Sequence, residues 1–334
     1  MSARVVFVTG ANGFIGRALC RWYRAAGWTV RGVDRAAPGG SADGAAPAAA
    51  DDVEVVPGDV TEPGGWVDAL AGADLVIHTA ALVSNTAGLA EGVRVNVGGT
   101  RRVVEAVAAA GAGRLVHFSS AAVYGHHRDG RVDEHEPVRP SGAVYGDTKI
   151  ASEQVVLQAH AAGEISATIV RPTDVYGPGS RPWTILPVQM LRAGQVLLPA
   201  HGRGSFIPIY VDDLVDGVVS AAAGEEGAGQ VFNLSGGQAV ETREFLGHYC
   251  RMLGIGPPRT ASTPVAVAVA EVMGRALRLA GRPSEANGAT MRMLAATGDV
   301  SIDKARRLLG WEPAVDLDEG MRRTETWLRA AGYL

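Results

Sequence analysis

The sequence predicts an α/β protein built on a doubly wound parallel sheet, with a smaller lobe formed by its C-terminal part. Three observations predict it. Short β-branched runs alternate with helical segments through the first 172 residues; several of those runs are apolar at nearly every position; and the alternation stops after Pro172. Strand–helix alternation implies right-handed crossovers into a parallel sheet. Strands that are apolar on successive residues are those buried on both faces.

The strands are expected in order at RVVFVTG (4–10), TVRGVD (29–34), VEVVPGD (53–59), ADLVIHTA (73–80), RLVHFSS (114–120) and SATIVRP (166–172). Between them, GRALCRWYRAAG (16–27) and NVGGTRRVVEAVAAAG (96–111) have helical periodicity and end in glycine, a common helix stop. The stretch at 36–52 is Ala, Gly and Pro with little to bury, and reads as a mobile loop. The expected division is a nucleotide-binding unit at 1–172 and a mainly substrate-binding lobe at 173–334. Strands from about 207–234 (IPIYVDD and QVFNLSG) are expected to return to the sheet.

At 334 residues, one large domain or two closely packed ones are expected. The net charge of −4 gives no electrostatic reason to expect nucleic acid or an anionic membrane as partner. Cys20 and Cys250 are the only cysteines, which argues against a disulfide framework and fits a reducing cytoplasm. The N-terminal MSARVVFVTG runs from a short apolar strand into glycine and does not resemble a signal peptide. The most apolar later segment, 264–281, is interrupted by Glu271, Arg275 and Arg278. It reads as an amphipathic helix packed on the protein, with a lipid-facing or substrate-capping role as the alternative.

VTGANGFIGRAL (8–19) joins the first strand to the first helix, with Gly10, Gly13 and Gly16 three apart. Such glycines allow a tight turn, close backbone approach to a pyrophosphate, and close helix–strand packing. The amides at the helix start then face the phosphates. Asp34 ends the second strand, 18 residues after Gly16. A carboxylate there accepts hydrogen bonds from an adenosine ribose and repels a 2′-phosphate, which favours NAD over NADP. Arg35 pulls the other way, because a guanidinium can accept that phosphate. Asp59, in GDV (58–60), is placed either to contact the adenine amine or to cap a helix.

The fifth strand runs into FSSAAVYG (118–125), and Tyr145 and Lys149 follow in VYGDTK. On a helix, residues four apart share a face. The expectation is that the Lys149 ammonium lowers the Tyr145 pKa toward neutrality. The phenol then exchanges a proton with a substrate oxygen while Ser120 holds that oxygen. Asn96 either relays protons through water or pins a helix start.

These motifs, with HTAA (78–81), VNVGGT, VRPTDVYGPG and YVDDLVDG, resemble the extended short-chain dehydrogenase/reductases of the NAD-dependent epimerase/dehydratase family, in order from residue 5 to about 235. The C-terminal SIDKARRLLGWEPAVDLDEG (301–320) is similar to that family's last helices. The resemblance implies a Rossmann sheet and Ser120, Tyr145 and Lys149 as the catalytic set. It implies cofactor contacts from Gly10, Asn12, Gly13, Phe14, Ile15, Gly16, Asp34, Arg35, Asp59, Val60, Thr79, Ala80, Ala81 and Asn96. Tyr145 and Lys149 would meet the nicotinamide ribose, and Pro172 and Val175 would lie beside the nicotinamide. Substrate contacts would come from Ser84, Ser120, Ala121, Asp174 and Phe206. Homodimers would form through helices near 94–110 and 145–162.

Departures from the family narrow the chemistry. Sugar-nucleotide 4,6-dehydratases carry Asp-Glu directly after the catalytic hydroxyl; Ala121 and Ala122 stand here, and methyl groups do no acid–base work. Sugar-nucleotide epimerases usually pair an arginine with the diphosphate where this chain has Phe206, followed by Ile207 and Pro208, and commonly have Asn where this chain has Asp174. Arg203, Arg181 and Arg192 are possible substitutes. Phe206 and Ile207 read either as an apolar substrate wall, as in hydroxysteroid- and flavonol-type reductases, or as packing between lobes. The expected activity is hydride transfer between NAD and a secondary alcohol or ketone, with a nucleotide-sugar epimerase as the alternative. A non-catalytic relative would typically have lost Tyr or Lys. HHRDGRVDEHEP (126–137) matches no zinc-enzyme spacing, so it reads as a solvated access loop and no metal is expected.

Overall fold

A computed structural model of the chain describes residues 4–35, 53–84, 86–125, 130–281 and 287–334. The loop expected at 36–52 and the first four residues of 126–137 lie outside them.

Seven strands form one parallel sheet: β1 (Val5–Thr9), β2 (Thr29–Asp34), β3 (Glu54–Pro57), β4 (Leu75–His78), β5 (Arg114–Phe118), β6 (Ala167–Pro172) and β7 (Val231–Leu234), in the order β7-β6-β5-β4-β1-β2-β3. The order reverses between β1 and β4, which opens a crevice beyond their carboxyl ends. Thr9 pairs with His78, and His78 with His117, so β1, β4 and β5 end nearly level.

Side chains alternate across the sheet as the strand period requires. Val6 and Val8 of β1 face helices α1 (Phe14–Ala25) and α4 (Val211–Ala223) together with the C-terminal part of the chain, while Phe7 faces α2 (Gly99–Ala110) and α3 (Val144–Ala161). Two cores therefore clamp the sheet. The second expected helix starts as a wider π-helical turn, Val93–Gly98, that runs into α2. β3 stops at Pro57 and lies at the sheet edge, where its inner residues are only half-buried.

One returning strand differs from expectation. β7 joins the main sheet beside β6, but Pro208–Tyr210 pairs in parallel with Asp174–Tyr176 as a separate two-stranded unit. Further along, helix α5 (Thr263–Leu279) packs against α6 (Gly288–Ala295). The end of α6 lies against the backbone at Gly204, where a Cβ would come within 1.9 Å of the Leu294 carbonyl oxygen.

Candidate active site

The crevice between β1 and β4 is lined by backbone. Gly10 adopts φ +71°, its amide donates to the Val33 carbonyl (2.8 Å), and a Cβ there would lie 2.9 Å from Thr79 Oγ1 and 3.0 Å from the Ala80 nitrogen. A side chain at position 10 would close the crevice. At Gly16 a Cβ would sit 2.1 Å from the Gly10 carbonyl oxygen, so α1 can seat on the loop only through glycine. Gly13 caps α1 with no side-chain bond, and the first turn holds no acid. The amides at Phe14 and Ile15 belong to a helix end without intrahelical acceptors and without a competing carboxylate. That arrangement fits a dinucleotide pyrophosphate.

Asp34 Oδ2 accepts the Asn12 amide at 2.9 Å, tying the end of β2 to the glycine loop. Asp59 Oδ1 accepts the Thr61 amide at 2.8 Å and closes a turn rather than capping a helix. Burial opposes ionisation of Asp59, but the Thr61 bonds and the charges of Arg35 and Arg94 outweigh it and hold the carboxyl below its usual range. Val60 is buried beneath Gly99.

β5 ends at Phe118, and Ser120 follows in extended backbone, its Oγ accepting the Ala122 amide at 3.1 Å. The start of α3 packs on that turn through Gly146, where a Cβ would meet the Ala122 carbonyl oxygen at 3.1 Å. This contact brings Tyr145 beside Ser120, whose hydroxyl acts to lower the pKa of the phenol. One turn on, Lys149 is 3% exposed; its Nζ donates to the Phe118 carbonyl at 2.7 Å and lies 6.0 Å from the Tyr145 ring centre. Burial pushes the Lys149 pKa from 10.5 down to about 8, with the Glu153 carboxylate opposing.

The expected lowering of the Tyr145 pKa is not what the structure gives. Burial raises it, and only the neighbouring Ser120 hydroxyl acts the other way. The ammonium is spent on the Phe118 carbonyl rather than on the phenol. Tyr145 is therefore held in its acid form.

Asn96, inside the π-helical turn, uses its side chain on neighbours. Oδ1 accepts the Leu82 amide (2.7 Å), and Nδ2 donates to the Leu82 carbonyl (3.1 Å) and to Thr148 Oγ1 (2.9 Å). It pins the segment leaving β4, which carries Thr79, Ala80 and Ala81, to α3.

Sequence reasoning missed the polar layer behind these groups. His78 bonds Thr9 Oγ1 through Nδ1 (2.7 Å) and Thr100 Oγ1 through Nε2 (3.0 Å). His117 Nε2 meets Ser152 Oγ at 3.0 Å, and Ser152 donates to the Lys149 carbonyl. Burial, reinforced by the Lys149 charge, drives the His78 pKa down to about 3 and that of His117 well below its usual value. Arg171 forms a buried two-pronged pair with Glu153 (2.8 and 2.7 Å) and donates to the Tyr124 hydroxyl (2.9 Å), which donates to Asn233 Oδ1. Polar residues in otherwise apolar strands, in VIHTA, LVHFSS and TIVRP, were the available signal.

The substrate candidates fare unevenly. Ser84 Oγ accepts the Thr86 and Ala87 amides and shapes a turn. Asp174 Oδ2 accepts the Ile207 amide at 3.0 Å, binding its own two-stranded unit together. Phe206 is 2% exposed, stacked on Phe245 at 3.9 Å with Trp183 edge-on at 4.8 Å. Its ring is interior packing and not a substrate wall, because three aromatic rings bury one another there. Ala121 is buried beside Ser120, Pro172 ends β6, and Val175 is buried just beyond it. Among the described residues, no group of three His, Cys, Asp or Glu side chains could hold a metal ion, and no helix is long and apolar enough to cross a membrane.

Comparison with known proteins agrees with this geometry. A model of the NAD dependent epimerase/dehydratase family matches residues 6–235. The 4-hydroxy-2-methyl-3-oxo-4-farnesyl-3,4-dihydroquinoline-1-oxide ketoreductase of Stigmatella aurantiaca is 32% identical, over 94% of each chain. The 2-alkyl-3-oxoalkanoate reductase of Stenotrophomonas maltophilia is 29% identical, over 95% of this chain and 97% of its own. The solved structure of MoeE5 in complex with UDP-glucose and NAD superposes with a TM-score of 0.78 at 28% identity, covering 98% of this chain and 99% of that one. Reductases, dehydratases and epimerases all occur among the relatives. A glycine turn that admits a pyrophosphate, a Ser–Tyr–Lys set at the end of β5 and a family match over more than half its length make this chain a member of the NAD dependent epimerase/dehydratase family, an enzyme that uses NAD.

Proposed function

We propose that this enzyme interconverts a ketone and a secondary alcohol on a hydrophobic small molecule, with Ser120, Tyr145 and Lys149 around the reacting oxygen. The observation that carries the reading is the placement of the Tyr145 phenol beside Ser120 at the end of β5, with Lys149 one turn on and burial raising the phenol pKa rather than lowering it. A protonated phenol is a general acid. It can give its proton to a carbonyl oxygen as that oxygen becomes an alkoxide, while the Ser120 hydroxyl holds the same oxygen. Lys149, fixed by the Phe118 carbonyl, sets a positive charge one helical turn from the phenol. NAD, when bound, supplies the carbon that gives or takes the hydride.

The glycine loop (Gly10, Asn12, Gly13, Phe14, Ile15, Gly16) would hold the pyrophosphate, and Asp34 the adenosine ribose in preference to a 2′-phosphate. Asp59 and Val60 would flank the adenine, and Thr79 to Ala81 with Pro172 and Val175 would flank the rest of the cofactor. Ala121 and Ala122 offer no acid or base for expelling water. The names of the two reductase relatives refer to alkyl- and farnesyl-bearing ketones, which favours an apolar substrate here. We also read the α2 and α3 faces as the surface of a homodimer.

A second reading, a nucleotide-sugar 4-epimerase that keeps its NAD, is favoured by the likeness to a structure holding UDP-glucose and NAD. Purified protein given NADH and a series of 2-alkyl-3-oxoalkanoates, farnesyl ketones and ketosteroids tests the two. Stoichiometric NADH oxidation with an apolar ketone supports the first. Interconversion of UDP-glucose and UDP-galactose without added NAD, and no NADH consumption with any ketone, would replace it.

A further inference from the structure

Helix α5 leaves one face uncovered. Val265 (53% exposed), Val269 (40%), Val272 (70%), Met273 (47%) and Leu279 (90%) recur at the i, i+4, i+7 spacing of a single helix face, while Ala266 and Ala270 are buried on the adjoining side. Large apolar side chains are rarely exposed in such a continuous row without a partner. Charge narrows the partner. Glu271 is the only acid between 263 and 281, and it is turned under the helix, where its Oε1 accepts the Gly288 amide at 2.8 Å. Arg275 is exposed along the stripe, and the segment's cations, Arg275 and Arg278, outnumber its single acid in a chain whose net charge is −4.

We infer that this face of α5 seats the protein on an anionic phospholipid surface, lying in the plane of the interface. The 17 residues make a rod about 25 Å long, whose exposed strip covers on the order of 250 Å². A stable protein–protein contact takes about 800 Å² from each partner, so this strip alone is too narrow to hold a second copy. A convex apolar ridge with the exposed Arg275 beside it, and its single acid turned away, is what interfacial helices present to the boundary of headgroups and acyl chains. The overall negative charge does not oppose this, since an 8 Å screening length makes the local charges decisive.

Co-sedimentation of the full chain with vesicles tests the inference. With vesicles of phosphatidylcholine and phosphatidylglycerol mixed, the protein pellets; with phosphatidylcholine alone, pelleting falls at least about fivefold, and added salt lowers it further. The double variant Val269→Glu/Val272→Glu, at positions open to solvent, loses roughly tenfold or more of the binding while its thermal melt is kept. Val272→Trp, a change that leaves the buried side untouched, binds more tightly and gives a blue-shifted emission on the mixed vesicles. Absence of pelleting with mixed vesicles, binding indifferent to the Glu variants, or a dimer in sedimentation velocity that the Glu variants dissolve would each overturn the inference.

Discussion

Lys149 Nζ donates to the carbonyl oxygen of Phe118 at 2.7 Å, anchoring the ammonium on α3 to the last residue of β5. The charge proposed to serve Tyr145 is thus held in place by a strand end, in surroundings that burial makes unfavourable to it.

The pH dependence of turnover follows. With a pKa of about 8, Lys149 is charged below that value and loses its proton above it. Ketone reduction should therefore fall as pH rises through about 8. In Lys149→Arg the falling limb should move upward, whatever the residual rate. A pH–rate profile that keeps its alkaline limb in Lys149→Arg would assign that limb to another group.

The same burial predicts a trade of stability for activity. A fall from 10.5 to about 8 means that the unfolded chain binds the proton more tightly, so the penalty is complete below pH 8 and disappears as pH rises to 10.5. It amounts to roughly 3 kcal/mol at neutral pH. Losing the bond to Phe118 offsets about 1–2 kcal/mol of that. Lys149→Met should be inactive and yet melt a few degrees higher at pH 7. An equal or lower melting temperature would show that the buried charge is better compensated than its pKa implies.

Tyr145→Phe removes the proposed acid beside Ser120 but leaves the glycine loop intact. Turnover should drop by about 10²–10⁴-fold, with NAD affinity within a few fold of the original by calorimetry. Unchanged turnover would remove Tyr145 from the reaction.

Asp34→Ala deletes both the proposed ribose contact and the brace to the Asn12 amide. The ratio of kcat/KM for NAD over NADP should fall by roughly tenfold, about 1.4 kcal/mol, mainly through KM. A retained preference would mean that some other group reads the ribose.

Arg171→Met leaves the Glu153 carboxylate buried without its partner. Breaking a buried pair in this way costs about 3–5 kcal/mol, which should lower the melting temperature by about 5–10 °C. Replacing both residues, as in Arg171→Met/Glu153→Leu, should recover part of the loss. No recovery in the double variant would place the cost in the Tyr124 and Asn233 bonds instead.

The sheet was legible in the sequence because strands buried on both faces have only one way to read, and β1, β2, β4, β5 and β6 lie where their apolar runs do. That Ser120, Tyr145 and Lys149 come together was legible because they sit at fixed offsets from a strand end and along one helix face. What spacing could not convey was where each polar atom spends its hydrogen bonds. The proximity of Lys149 to Tyr145 suggested a lowered phenol pKa; the carbonyl of Phe118, a backbone group invisible to side-chain pattern, takes that ammonium instead. Phe206 was ambiguous for a similar reason, since its partners Phe245 and Trp183 are far away in sequence. Pro208–Tyr210 looked like a strand of the main sheet because its composition is that of any buried strand, and composition does not name a neighbour.

The paired imidazoles of His78 and His117, their rings 5.4 Å apart in the middle of the fold, give this enzyme a built-in vulnerability to acid. Folded, both stay uncharged far below the pH at which free histidine takes up a proton, whereas the denatured chain protonates both near pH 6.5. Denaturation in mildly acidic buffer must therefore absorb two protons, and conformational stability should erode steadily from about pH 6.5 downward, well before any surface carboxylate is neutralised.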